Sequence, residues 1–460
     1  MHPAPYPACV QTAEDSVAGR GQSPHKARAG LRHLLTNPGF FRLLGVKVTA
    51  QWGDGVFQAG LGSAVLFNPE RAADPLAAAA GFAVIFLPYS VVGPFAGALL
   101  DRWDRRQVLL LSNVIRGVLV LVTAVAVLSG LTGPPLYVAA LLTLGVSRFM
   151  LAGLSASLPH LVPREDLVEA NAVAATLGAG MAVVGAGSAI GLRALLGAGD
   201  AGSGTVTAIA VLGSIGAALI MLGFRRGQLG PDEVNEPSRA LVAIAHGLID
   251  GARAAARTTS VAAGFVALIA HRLAYGALVL LGVLLLRNSF HDVGWLPSGM
   301  GGVGVIALAG GASILAAAFV TPPLVAKVGR RATITGSLVL AALTQLALTL
   351  TLSLPALLLS SFLIIGAGQV VKLCVDAAAQ RDIGDETRGR VFALYDTLFN
   401  VSMVVSAGTV ALLVPADGHS TGVMLGVVVV YLIGTLCYLL VERRGQAQAS
   451  RTEATGRESG

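Results

Sequence analysis

Gly97-Ala98-Leu99-Leu100-Asp101-Arg102-Trp103-Asp104-Arg105-Arg106 is a charged turn between two long apolar runs, at 77–100 and 107–131. Each run is long enough to cross a hydrocarbon core of ~30 Å at ~1.5 Å of rise per residue. A turn this polar between such segments stands in water while its flanks stand in lipid. The stretch therefore reads as a hairpin of two membrane-spanning helices.

The same pattern extends in both directions. Apolar runs fall at 43–66, 77–100, 107–131, 136–158, 170–195, 205–223, 261–286, 300–325, 332–353, 356–376, 391–414 and 421–441. Of 460 residues 54% are hydrophobic and 12% charged, and the mean hydropathy is +0.74. A soluble domain carries roughly twice that charged share and could not cover itself with so few polar groups. The runs are too long and too uniform for the strands of a membrane barrel, which alternate over ~10 residues. An all-α polytopic membrane protein of twelve transmembrane helices follows.

The breaks between runs are of two kinds. Asn68-Pro69, Gly133-Pro134-Pro135 and Asp417-Gly418 have turn chemistry and little charge. The others are basic: the amino-terminal tail, 102–106, Arg164, 225–257, 327–331, 381–390 and the carboxy-terminal tail. Opposite them stand little more than Arg71 and Arg287. By the positive-inside rule both termini lie in the cytoplasm of a multi-pass protein of the cell inner (plasma) membrane. That distribution accounts for the net charge of +7 without nucleic acid as a partner. Cys9, Cys374 and Cys437 are scattered, so neither a disulfide framework nor a metal site is expected. No P-loop appears and no cofactor is implied; the chain does not read as an enzyme. The expected organisation is a disordered cytoplasmic tail (1–38), a six-helix bundle (39–224), a cytoplasmic linker with an amphipathic helix (225–260), a second six-helix bundle (261–441) and a cytoplasmic tail (442–460). A monomer is expected.

The halves repeat. Pro322-Pro323-Leu324-Val325-Ala326-Lys327-Val328-Gly329-Arg330-Arg331 follows the eighth run as 97–106 follows the second, at a shift of 225 residues. Parallel six-helix repeats are a transporter architecture with the substrate site between the halves.

These features resemble the major facilitator superfamily, whose signature turn joins spans two and three. Gly97, Leu99, Asp101, Arg102, Arg105 and Arg106 match it; Asp104 stands where the family has glycine. The degenerate copy keeps that glycine, as Gly329, with Lys327, Arg330 and Arg331 as its basic residues. The resemblance implies a conformational latch at both turns. Ser157-Leu158-Pro159-His160-Leu161-Val162-Pro163 and Arg388-Gly389-Arg390-Val391-Phe392-Ala393-Leu394 look like the drug:proton antiporter branch that includes macrolide-efflux and enterobactin-export proteins. The antiporter motif of span five is degraded at Gly187-Ser188-Ala189-Ile190-Gly191-Leu192; Gly180, Gly185, Gly187 and Gly191 are expected to allow close helix packing there.

Ionisable groups inside spans are functional candidates because burying them unpaired is costly. They are Asp54 in span one, Arg116 in span three, Arg148 in span four, His271 and Arg272 in span seven, Lys372 and Asp376 in span ten, and Asp396 in span eleven, with the polar amides Asn113 in span three and Asn400 in span eleven beside them. Asp54 either carries a coupling proton or binds a cationic substrate, or else pairs with Arg116 or Arg148 to orient helices. The resemblance gives Arg148 a proton-coupling role; the alternative is a structural pairing. The 225-residue shift sets Arg148 beside Lys372, which would suit an anionic substrate. His271 is either a proton relay or the donor of one interhelical hydrogen bond. Asp376 and Asp396 stand near span ends, where a solvated or latch role suffices. Trp52, Phe57, Tyr89, Phe149 and Tyr275 are candidates for the cavity wall. The resulting expectation is a secondary transporter that exports a small amphipathic molecule (drug, siderophore or metabolite) across the bilayer in exchange for protons by alternating access; the alternatives are an importer of a small metabolite and a non-transporting membrane sensor or scaffold.

Overall fold

The computed structural model describes residues 36–67, 74–100, 103–163, 166–230 and 240–458. They form helices α1 (Pro38–Leu66), α2 (Pro75–Leu100), α3 (Arg105–Leu128), α4 (Pro134–Ser157), α5 (Leu167–Leu196), α6 (Asp200–Ile209), α7 (Val211–Leu222), α8 (Ala240–Arg257), α9 (Thr259–Asn288), α10 (Gly299–Thr351), α11 (Leu354–Asp382), α12 (Asp385–Ala411) and α13 (Thr421–Glu458). There is no strand among the described residues.

Local chemistry sets the helix starts. Asn37 caps α1 by accepting from the amides of Gly39 and Phe40, and Pro38 takes the first helical position, where a missing N–H costs nothing. Pro134 opens α4 in the same way after Gly133, whose φ of 76° is the left-handed turn a glycine tolerates. The loop between α9 and α10 is held by Asp292, which accepts from both the amide and the hydroxyl of Ser298. Those bonds, the backbone one first, hold its carboxyl below the usual carboxylate range.

Nine stretches among the described residues are long and apolar enough to cross a membrane. One of them, α10, runs 53 residues and breaks at Gly329 (φ 81°, ψ 158°), so it supplies two crossings. With α1 and α2 the set reaches the twelve that the apolar runs predict. Gln51, Asp54 and Gln58 make α1 less apolar than the rest. The sixth crossing differs from a single run at 205–223: it begins at Asp200 and bends at Ala210, where i→i−3 bonds (Ala210 to Thr207, Gly213 to Ala210) replace the α ladder. The stretch 442–460, expected as a disordered tail, continues α13 as far as Glu458. Gln446-Ala447-Gln448-Ala449 and the charges after it are good helix formers. Residues 1–35, most of the other expected tail, lie outside the described residues.

The two halves are built alike. α1 packs on α5 and α7 as α9 packs on α12 and α13. Glycines set the closest approaches, since a methyl on Gly55 would run into the Ala182 carbonyl and one on Gly185 into the Trp52 carbonyl. At the α1–α7 crossing a methyl on Gly213 would sit 2.6 Å from the Gly53 Cα. This corrects the reading of span five: Gly185 packs, whereas Gly180, Gly187 and Gly191 face open space. Large apolar side chains cover the outside, among them Leu111, Val118, Leu343 and Leu436, all more than half exposed. In a bilayer that surface is solvated by acyl chains. α8, the expected linker helix, lies against the start of α12, with Asp250 paired to Arg390 at 3.2 Å and Gly251 under the Arg390 carbonyl.

Candidate functional site

The first basic turn is anchored to the loop after α7. Asp101 and Arg102 lie outside the described residues, as do the surroundings of Gly97. Asp104 is the N-cap of α3: its Oδ1 accepts from the Arg106 amide at 2.9 Å, and its Oδ2 accepts from the Gly227 amide at 3.2 Å. Arg105 is buried; it donates to the Ala156 carbonyl at 2.8 Å and the Leu229 carbonyl at 3.4 Å. Arg106 reaches the Leu222 carbonyl at 3.4 Å. In the second copy Arg330 pairs with Glu442 of α13 at 2.8 Å, Lys327 is exposed and Arg331 half-buried. The two copies therefore close differently, Gly329 by left-handed backbone and Asp104 by side-chain capping. Asp104→Ala should lower stability by about 1 kcal/mol, read as a fall in Tm, while Asp104→Asn keeps most of it.

Asp54 sits in the amino-terminal bundle. Its carboxylate meets Arg116 Nη2 at 3.0 Å and accepts from the Ser147 hydroxyl at 2.7 Å. Arg116 is wholly buried, also donates to the Ala50 carbonyl at 3.0 Å, and leaves Nε and Nη1 without partners. Of the two arginines weighed for Asp54, the structure joins Arg116. Arg148, next to Ser147, is half-buried on α4. Asn113 spends its amide on the Leu109 carbonyl of its own helix.

The carboxy-terminal bundle holds a second polar cluster. His271 is buried, shares a 3.2 Å hydrogen bond with the Tyr431 hydroxyl and stacks on Tyr275, and its ring fills the space that Gly368 leaves. The interhelical hydrogen bond weighed for it is thus present. Lys372 pairs with Asp376 one turn along α11 at 2.6 Å. Asp396 is exposed on α12, and the Asn400 amide donates to its backbone carbonyl. Arg272 has aromatic partners: its guanidinium lies 3.3 Å from the Phe399 ring centroid and 5.4 Å from that of Tyr275. Among the described residues no carboxylate lies within 4.0 Å of it. Cation–π contacts return about 0.5–2 kcal/mol, less than the ~2.5–3.5 kcal/mol cost of a cation at membrane depth.

Between the halves lies a cavity of about 580 Å³. Its wall is apolar (Leu278, Val279, Ile306 and Ile365, with Phe67 and Phe82) apart from Gln58, Tyr275 and Ser361. Tyr275 is the one aromatic candidate of five that the cavity wall includes. Phe57 is in the core of the first half, Phe149 borders a lateral groove facing the lipid, Trp52 packs beside α5, and the Tyr89 side chain lies outside the described residues. Gln58 and Ser361 escaped the sequence reading, which looked for charge. So did a seal beyond the cavity, on the face opposite the basic turns. There Arg287 of the second half donates to the Leu66 carbonyl at 2.7 Å, and Arg193 donates to the Phe67 carbonyl at 2.7 Å. Both capture carbonyls at the end of α1 that no helix N–H can reach, where the helix dipole is negative. Arg287→Ala is expected to open this face. With Cys9, Cys374 and Cys437 replaced by serine, an Ser361→Cys probe should react faster with an impermeant maleimide added from that side. An unchanged rate would mean that other contacts hold the halves together.

The family model described as Major Facilitator Superfamily matches residues 48–406 and again 264–458. The chain belongs to the major facilitator superfamily. Membership makes it a secondary transporter and a multi-pass membrane protein. Among curated relatives, proteins described as uncharacterized MFS-type transporters of Mycobacterium tuberculosis and Mycobacterium bovis are each 43% identical over 422 residues, covering 91% of this chain and 95% of theirs. Among solved structures, the nucleoside transporter NupG superposes with a TM-score of 0.63 at 13% identity, covering 89% of this chain and 99% of its own. The POT family transporter PepTSo superposes at 0.66 and 12%, covering 90% and 99%. At such identities the likeness is one of fold.

Proposed function

We propose that this major facilitator protein exports a small amphipathic molecule, such as a drug, siderophore or metabolite, from the cytoplasm across the plasma membrane in exchange for protons. The apolar cavity between the halves, with Gln58, Tyr275 and Ser361 as its uncharged polar points, carries this reading. Such a wall suits a ligand with an apolar body and a few hydrogen-bonding groups. The basic turns mark the cytoplasmic face. The resemblance of 157–163 and 388–394 to macrolide-efflux and enterobactin-export proteins supports the outward direction.

Asp54 is the proposed proton carrier. Its carboxylate is buried, bound to Arg116 and reached by the Ser147 hydroxyl. Protonation of Asp54 would cancel the attraction to Arg116 and loosen α1 from α3, coupling a proton to helix movement. Arg148, one residue from Ser147, is proposed to modulate that step.

The test uses inside-out vesicles loaded with a pH-sensitive dye. Adding candidate drugs or siderophores is expected to trigger substrate-dependent proton movement in the wild type. Arg116 should not be left alone in the variant, so Asp54→Asn is combined with Arg116→Gln. This neutral pair is expected to fold, bind and lose proton movement. Proton movement that persists in it removes Asp54 from coupling; uptake into intact cells without proton release would make the protein an importer.

A further inference from the structure

Among the described residues Arg272 is a cation without a counterion. Lys372 is matched by Asp376, and Arg116 by Asp54, but the Arg272 guanidinium is held between aromatic faces and its Nε is buried without a hydrogen-bond partner. Asp376 is taken by Lys372, and Asp396 is exposed on α12; neither forms an ion pair with Arg272. Tyr275 joins the two environments: one of its faces looks to Arg272 and its side chain is part of the cavity wall. The cavity's own polar groups bring no charge to balance the guanidinium.

We propose that Arg272 is the anchor for an anionic group of the substrate, so that the transported class is an organic acid, an apolar body bearing a carboxylate or sulfonate. This rests on reading the cavity between the halves as the substrate path. The anion would approach along the Tyr275 ring and take two parallel N–H donors of the guanidinium, a geometry that arginine offers and lysine does not. The apolar wall would hold the apolar body. An uncharged or cationic ligand of the same shape would leave the half-buried charge unmatched or oppose it.

The experiment needs no gradient, so it is independent of proton coupling and direction. Purified protein in nanodiscs is titrated calorimetrically with 1-naphthoate, 1-naphthamide and 1-naphthylmethylammonium, with 1-naphthalenesulfonate as the second anion and empty nanodiscs as the blank. The two anions are expected to bind on the order of tenfold more tightly than the amide or the cation. Arg272→Gln is expected to erase that preference and leave weak binding of the amide unchanged; Arg272→Lys is expected to keep part of it. Equal binding of all four probes, no binding of any, or a preference that survives in Arg272→Gln would overturn the proposal. Gly311→Trp, at an open glycine of the cavity wall, separates the two readings. It should abolish anion binding; undiminished binding there would refute the cavity as the path, whereas a lost preference in wild type would refute only the role of Arg272.

Discussion

Asp54→Ala, with Arg116 retained, is expected to be the most destabilising single change in the amino-terminal bundle, at about 3–5 kcal/mol. The reason is what it leaves behind. Arg116 has no exposed surface, and two of its nitrogens already lack partners. Without the carboxylate 3.0 Å away, its charge would be set only against the Ala50 carbonyl. Ser147 would be left with only the Thr143 carbonyl as acceptor. Removing both charges should be far milder, because a buried pair replaced by apolar groups is often neutral. The measurement is a double-mutant cycle on Tm in detergent: Asp54→Ala alone, Arg116→Leu alone, and the two together. A double variant no more stable than Asp54→Ala would show that the pair does not act as a unit.

Gly55→Ala and Gly185→Ala are expected to follow closely, each lowering stability by roughly 2–3 kcal/mol. Both glycines lie where α1 and α5 cross, and in each case the obstacle to a methyl group is main chain, the carbonyl of Ala182 or of Trp52. A flexible side chain could step aside; a helix backbone moves only if the whole crossing opens. Gly180→Ala and Gly187→Ala on the same α5 should fall within ±0.5 kcal/mol, since open space surrounds them. Folded yield and Tm of the four variants give the comparison. Similar losses at all four would mean that the crossing is not where α5 is held.

The architecture was legible because membrane helices announce themselves by length. The apolar runs and their alternating basic breaks translate directly into crossings and orientation, and Gly329 stood out as the glycine its twin turn lacks. What the pattern could not carry was azimuth and local backbone. Gly180, Gly185, Gly187 and Gly191 look equivalent in a list, yet they point in different directions around one helix. Whether Asp54 would meet Arg116 or Arg148 depended on the rotation of α1, which hydrophobicity barely biases in a span buried on several sides. The bend at Ala210 lies where this crossing meets Gly53, a neighbour far away in sequence. Gln58 and Ser361 were invisible to a search for charge, although Gln58 lies one turn beyond Asp54 on the same helix. Asp104 was read as a departure from a motif; its tie to the loop after α7 needed the position of Gly227, 123 residues on.

The seal at the end of α1 has a consequence for how such a protein can change over generations. Arg287 and Arg193 grip carbonyl oxygens of the main chain at Leu66 and Phe67. Every amino acid carries that oxygen, so substitution at 66 or 67 leaves the acceptors in place. Inheritance can thus adjust this closure only from the arginine side, while the facing positions stay free to drift toward whatever the cavity rim requires.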